Sequence, residues 1–277
     1  MAYRSLLVLL EQDPQDTHRV EAAIRLAKQL DGHLIGLAPT GLLDLPASPG
    51  AAAALADYAA LAWDMLREQA VQATQRFADR CHAAGLRAFE AVVDEADKAD
   101  SVLRHAHCSD LVLLTQAHDD AADGGITQEL VEQVVLRSAR PVLILPHAGH
   151  VERIGSHALV AWDDSPESAR AVADALPMLA RAEKVTIVAW AERGVQPRRA
   201  QLDGVCRWLL RHGVSAESRI EPVSAGIADA MLSAAADLDA DLLVMGAYGH
   251  SRWSERLLGG ATRGVLRTMT MPVLMSH

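Results

Sequence analysis

Six short stretches of the chain are apolar but for a leading residue at most: LLVLL (Leu6–Leu10), DLVLL (Asp110–Leu114), ALVAW (Ala158–Trp162), DLLVM (Asp241–Met245) and two that open on proline, at Pro141 and Pro272. Runs of this length without polar alternation are expected of strands buried on both faces of a parallel sheet. Proline at a first strand position is compatible with this, because no ladder donor is yet required. HLIGLA (His33–Ala38), KVTIVAW (Lys184–Trp190), FEAVV (Phe89–Val93) and AESRIEPV (Ala216–Val223) read as further strands.

Between the strands the apolar spacing turns helical, as at Val20, Ile24, Ala27 and Leu30, and again at Val172, Ala175, Leu176 and Leu179. Asp13-Pro14 and Ser165-Pro166 each read as an N-cap followed by proline at the first helical position. Longer helices are expected over Leu61–Ala84 and Gln201–His212, ending at Gly85 and Gly213, with shorter ones over Ala99–His107 and Ala225–Ala236. Alternating β and α elements predict an α/β fold: a parallel sheet with helices on both faces.

The pattern also repeats. LLVLLEQDP matches ALVAWDDSP, with Pro14 opposite Pro166, an offset of 152. Later in the chain Asp110 matches Asp241 and Pro141 matches Pro272, both at an offset of 131. The chain therefore reads as a tandem duplication, 1–149 and 155–277. The fall in offset places about 21 extra residues in the first copy, chiefly around Pro39 to Ala70.

Composition narrows the function. Half of the 277 residues are apolar, enough for substantial cores, and the formal charge is −10. An acidic chain is a poor candidate for non-specific binding to nucleic acid or an anionic membrane. No apolar run approaches the roughly 18 residues of a membrane span, and MAYRSLLVLLEQ is a poor signal peptide. Cys81, Cys108 and Cys206 are odd in number and far apart, as expected of reduced thiols. The expectation is a cytoplasmic globular protein.

The most informative segment is GAYGHSRWSERLLGGATRG, from Gly246 to Gly264. Gly246 follows DLLVM at the carboxyl end of a strand, the edge where ligands bind in open α/β sheets. A helical pattern resumes near Ala261 with Thr262, Val265, Leu266 and Met269, which puts Gly259 and Gly260 at a helix N-terminus. Unpaired amides and the positive end of the helix dipole suit a phosphate there. Thr262 would add a hydroxyl, and Arg252, Arg256 and Arg263 positive charge. The segment is neither a P-loop nor the dinucleotide glycine pattern.

The first copy serves as an internal control. At the 131 offset Thr115, His118, Gln128 and Glu129 replace Gly246, Gly249, Gly259 and Gly260. Glu129 puts a carboxylate where a phosphate would lie, and like charges about 4 Å apart repel by roughly 1 to 4 kcal/mol. Asp119, Asp120 and Asp123 add to that repulsion, although Glu11 keeps an acid opposite Asp163. Only the second copy is a credible anion site.

The G-x2-G-x9-G spacing of Gly246, Gly249 and Gly259, followed by GAT and closing on TMPVLMSH, resembles the nucleotide-binding signature of the universal stress protein family. ALVAWDDSPESA resembles the first strand and turn of that fold, and the likeness extends over both copies. The resemblance implies two Rossmann-like domains of the adenine nucleotide α-hydrolase type. Each would have a five-stranded parallel sheet of order 3-2-1-4-5, and the two would pair through their last strands as an intramolecular pseudo-dimer. Whether two chains associate further is left open.

It also implies ATP or another adenine nucleotide in the second copy. Ala161 and Trp162 would flank the base, and Ala189 would offer backbone groups to adenine. Asp163 would lie near the ribose and any Mg2+. Met245, Gly246, Tyr248 and Gly249 would border ribose and phosphates, while Gly259, Gly260, Ala261 and Thr262 would cradle the phosphates. Gly260 stands where the family usually has Ser or Thr, which makes a weaker or shorter nucleotide, AMP or ADP, more plausible.

A regulator or sensor that binds nucleotide is the reading this supports. The alternatives are a nucleotide-free interaction scaffold with an unidentified protein partner, or a slow ATP hydrolase. His105, His107 and Cys108 hold three zinc-competent atoms within four residues, but a helix would point the two histidines apart. Asp163-Asp164 would suit Mg2+ alongside phosphates, or Asp164 is a turn residue. In the extra segment, Leu55, Tyr58, Leu61, Ala62 and Met65 share a helical face read as core cover, with a lid or partner surface as the alternative. No GxSxG or HExxH occurs.

Overall fold

The structure, a computed structural model, describes residues 2–11, 16–41, 56–117, 126–148, 151–191, 199–223, 226–249 and 260–277, with the side chains of 56–59 left aside. The first copy runs β1 (Ser5–Leu9), α1 (Asp16–Leu30), β2 (His33–Pro39), α2 (Ala56–Ala83), β3 (Phe89–Asp94), α3 (Lys98–Ala106), β4 (Leu111–Thr115), α4 (Gln128–Arg137) and β5 (Val142–Leu145). The second repeats it as β6 (His157–Ala161), α5 (Pro166–Leu179), β7 (Lys184–Ala191), α6 (Arg199–Arg211), β8 (Glu217–Pro222), α7 (Ile227–Asp237), β9 (Leu242–Gly246), α8 (Gly260–Thr268) and β10 (Val273–Ser276).

The ten strands form one sheet in the order β3-β2-β1-β4-β5-β10-β9-β6-β7-β8. Each copy thus has the order expected from the resemblance, and every pair within a copy is parallel. The copies meet at β5 and β10, which run antiparallel with Leu143 opposite Leu274. β1, β4, β5, β6, β9 and β10 are buried almost throughout, as continuously apolar strands must be. The outer strands β3 and β8 are not, and Ile220 on β8 is exposed.

Strand side chains alternate between two helical layers. On one face Leu6, Val8 and Val160 pack with α1, α2, α5 and α6; on the other Leu7, Leu9 and Leu159 pack with α3, α4, α7 and α8. Both layers run unbroken across the seam. Arg181 of the second copy reaches the Gln29 carbonyl of the first at 2.7 Å, and the Tyr3 hydroxyl donates to the Asp174 carbonyl.

Matched residues do matched work. Asp110 accepts from the amides of Arg4 and Ser5 at 2.7 and 3.0 Å, pinning the start of β1. Asp241 accepts from Gly155, Ser156 and His157 at 2.9 to 3.1 Å, pinning the start of β6. These aspartates therefore precede β4 and β9 rather than belonging to them. Ser165 caps α5 as expected, its Oγ accepting from the Ser168 amide at 3.1 Å with Pro166 in the first turn. Gly85 and Gly213 take the left-handed conformation, with φ of 70° and 79°. Asp13-Pro14 lies outside the described residues.

The extra length of the first copy lies between β2 and β3. There α2 has 28 residues where α6 has 13. Its buried face is Ala70, Ala73, Phe77 and Cys81, with the Phe77 ring against Gly36. The expectation that Leu61 and Met65 cover the core is corrected: they are 66% and 61% exposed. The first turns of α2 carry them beyond the sheet, which α2 reaches only from Ala70 onward. Leu55 and the Tyr58 side chain fall outside what is described.

Candidate functional site

The carboxyl edge of the second copy gathers most of the expected site residues. β6 lies between β7 and β9, with Ala161 opposite Val188 and Val160 opposite Val244. That register brings Ala161, Trp162 and Asp163 beside Ala189 on one side and Met245 and Gly246 on the other. The Trp162 amide extends the ladder to the Val188 carbonyl at 2.9 Å. Ala161 and Met245 are only 5% and 3% exposed, so their backbones are what they can offer. Asp163 Oδ1 accepts from the Ser165 amide at 3.1 Å and hydroxyl at 2.5 Å, closing the turn into α5. Asp164 is that turn's left-handed residue, with φ of 64°, and its carboxylate accepts from Gln201.

The glycines have a physical reason the sequence did not disclose. A Cβ on Gly246 would lie 2.6 Å from both the Glu167 carbonyl carbon and the Ser168 nitrogen. A Cβ on Gly249 would lie 2.7 Å from Glu167 Oε2. Gly246 therefore admits the backbone of the first turn of α5 and Gly249 the end of the Glu167 side chain, so both close approaches are to the protein itself. Glu167 Oε2 and Trp162 Nε1 are buried without a hydrogen-bond partner among the described residues.

Between these glycines Tyr248 adopts φ of 54°, a region costly for a residue with a Cβ. Its amide donates to Thr262 Oγ1 at 3.0 Å, which ties the turn after β9 to the first turn of α8. Thr262 is 3% exposed, so its hydroxyl clamps the loop from behind instead of facing a ligand. Gly260 and Ala261 open α8, and no acidic side chain lies in its first turn. Gly259, Arg252 and Arg256 lie outside the described residues.

Arg263 is not free to meet a phosphate. Its Nε and Nη2 donate to the two carboxylate oxygens of Glu132 on α4, both at 3.0 Å. Burial pushes the Glu132 carboxyl up, but hydrogen bonds from Arg263 and Gln128 outweigh this and hold it below the usual range. The shielded Tyr248 hydroxyl lies beside the pair; burial first, then the charge of Glu132, pushes that phenol up. A groove of about 870 Å³ runs along this junction, lined by Gln128, Glu129 and Glu132 from one copy and Gly260, Arg263 and Arg267 from the other.

The matching crevice of the first copy is filled by the chain itself. Arg19, 1% exposed, donates to the Leu9 carbonyl and Thr115 Oγ1, both at 2.7 Å, and to Asp16 Oδ1 at 3.1 Å. Arg80 takes the other Asp16 oxygen at 3.2 Å, and Lys98 pairs with Glu11 at 2.5 Å. A guanidinium thus spans the ends of β1 and β4, where a ligand would have to enter. Arg19 was not among the expected residues. Its signal was the 152 offset, which places Ala171 opposite it on α5. His118 is outside the described residues, and Gln128 and Glu129 open α4.

His105 Nε2 lies 3.3 Å from Asp94, while His107 and Cys108 are exposed at the helix end. Among the described residues no group of three His, Cys, Asp or Glu is placed to hold a metal. None of their helices is long and apolar enough to cross a membrane.

A model of the universal stress protein family matches residues 208–277, which hold β8 through β10. Solved structures cover nearly the whole chain. A universal stress protein from Archaeoglobus fulgidus superposes with a TM-score of 0.74 at 17% identity, over 99% of this chain and 96% of that one. A putative universal stress protein from Pseudomonas aeruginosa gives 0.60 at 19% identity, over 99% and 93%. A universal stress protein in complex with cAMP is 30% identical over 45% of this chain and 98% of its own, with a TM-score of 0.38. No curated protein matches the chain. Residues 208–277 thus carry a universal stress protein domain, and the chain as a whole holds two copies of one fold in tandem.

Proposed function

We propose that the second copy, 155–277, binds one adenine nucleotide at its carboxyl edge, while the first, 1–149, binds none. The chain then acts as a nucleotide-dependent sensor or regulator of a cytoplasmic stress response rather than as an enzyme.

The observation that carries this reading is the contrast between two matched helix starts. In α4, Thr127 Oγ1 accepts from the Leu130 amide at 3.2 Å, and Glu129 supplies an acid in the first turn. The helix satisfies its own positive end. α8 has no acid in its first turn, and the residue matching Glu129 is Gly260. A helix start without an acid in its first turn suits a phosphate.

The neighbouring groups fit the rest of a nucleotide. Glu167 Oε2 is an acceptor without a partner, suited to a sugar hydroxyl, and Trp162 Nε1 is a donor without one, suited to a base nitrogen. Gly260 and Ala261 would take the phosphates, with Gly259 before them and Thr262 holding the loop. Mg2+ accompanying the nucleotide would fall to Asp163, and it would supply charge neutralisation for the phosphates. The backbones of Ala161, Ala189, Met245, Gly246 and Gly249 would border base and ribose. The test is titration of the purified chain with ATP, ADP and AMP by calorimetry. One site per chain is expected; no heat at millimolar nucleotide from folded protein would overturn the reading.

A second reading, a protein-interaction scaffold, is favoured by one observation. Leu61 and Met65, one helical turn apart on α2, are largely exposed on a helix lengthened only in the first copy. Leu61→Asp with Met65→Asp should abolish capture of a protein partner under this reading and leave nucleotide titration unaffected.

A further inference from the structure

The loop of the second copy is held partly by the first. Tyr248 is fixed at its backbone by Thr262, the residue next to Arg263, which Glu132 of the first copy grips through both carboxylate oxygens. Glu132 is 18% exposed at its side chain and takes a further hydrogen bond from Gln128 at 3.0 Å, so the carboxylate is held from both sides. A left-handed non-glycine residue persists only where its surroundings impose it, and here the helix turn that imposes it is anchored by a residue of the other copy.

The pairing has a further property. Glu132 and Arg263 are separated by 131 residues, the same offset that relates Leu143 to Leu274 in the seam. They are one position of the repeat seen twice, meeting across the pseudo-twofold axis. In a symmetric dimer of identical copies that position would face itself with like charge. With Glu in one copy and Arg in the other, the contact is a directed pair.

We propose that Glu132 is a positioning residue for the nucleotide loop of the second copy: the copy that has filled its own crevice supplies the carboxylate that holds Arg263, and with it the adjacent Thr262 clamp on Tyr248, in place. This rests on the nucleotide reading above, since the loop matters only if it borders a ligand. It gives the first copy a part in the ligand site without a ligand of its own.

The experiment compares wild type with Glu132→Arg, Arg263→Glu, the double exchange and Tyr248→Phe. ATP affinity is read by calorimetry, and amide exchange over residues 245–249 by mass spectrometry. Each single charge variant should weaken ATP binding by about tenfold and speed loop exchange to a similar extent, and the double exchange should restore both to within about threefold. Tyr248→Phe, which keeps the ring and the fold, should weaken binding less than either charge variant. Unchanged affinity in the single variants overturns the proposal even if exchange rises, because Glu132 would then be merely structural. A folded double exchange that rescues neither readout also overturns it. If wild type binds no nucleotide, the functional reading falls by itself, and the exchange measurements alone decide whether Glu132 holds the loop.

Discussion

Leu143 and Leu274 face each other across the antiparallel seam of the sheet, and they are the same residue of the two copies. Both are fully buried. The pseudo-twofold axis of the molecule therefore passes between β5 and β10, and the copies share their hydrophobic layers on both faces of that seam.

A shared core predicts one cooperative unfolding unit. Calorimetry should record a single transition for the whole chain, and Leu143→Ala should lower its stability by about 2 to 5 kcal/mol. Two resolved transitions, with only the first shifted by the substitution, would show that the copies unfold separately.

Arg19 predicts a large effect from the copy that is proposed to bind nothing. Its guanidinium is buried among Leu9, Thr115 and Asp16. Arg19→Ala should destabilise the protein by about 3 to 5 kcal/mol, as expected when one partner of a buried pair is removed. It should leave nucleotide stoichiometry unchanged, because Glu129 and Thr127 still occupy the start of α4. A loss below about 1 kcal/mol by urea denaturation would mean that the guanidinium is not a structural plug.

The two glycines should respond differently to alanine. At Gly246 a methyl group meets backbone of α5, which cannot move alone; at Gly249 it meets only the end of the Glu167 side chain. Gly246→Ala should cost about 1 to 3 kcal/mol of stability and Gly249→Ala clearly less. Equal melting temperatures for the two variants would contradict the packing given to them.

The pH dependence of stability should have an early step that belongs to His157. Burial, then the charge of Lys184, lowers its pKa below the ordinary 6.5. The folded protein favours the neutral ring, so this contribution is present above about pH 6.5 and is lost as pH falls through that value toward the folded pKa. The carboxyls of Asp94 and Glu132 are also held low by their partners, against the upward push of burial, and lose their contributions only below about pH 4. Stability should therefore fall between pH 7 and 5.5, and less so in His157→Gln. Parallel profiles for the two proteins would exclude His157 as the source.

The duplication was legible because it rests on period and spacing. The 131 offset survives in β4 and β9, in β5 and β10, and in Asp110 and Asp241. Strand ends moved by about a residue, since the aspartates cap rather than pair. What escaped was everything set by contacts between distant segments. Arg19 reads as an ordinary polar position of a surface helix, and its burial depends on Thr115 arriving from another strand. Gly246 read as room for a ligand when its neighbour is Glu167. Arg263 read as a phosphate contact when a residue at the same place in the other copy already holds it. In the candidate site the residue types were readable, but their partners were not.

The central claim is that only the second copy binds nucleotide, through the acid-free start of α8. Gly260→Glu tests it most directly, because it gives α8 the residue that α4 already has at Glu129. Calorimetric titration with ATP should give one site per chain in wild type and no detectable site in Gly260→Glu, with the melting temperature of the ligand-free protein unchanged. Binding of equal strength in both proteins, or two sites per chain in wild type, would contradict the account.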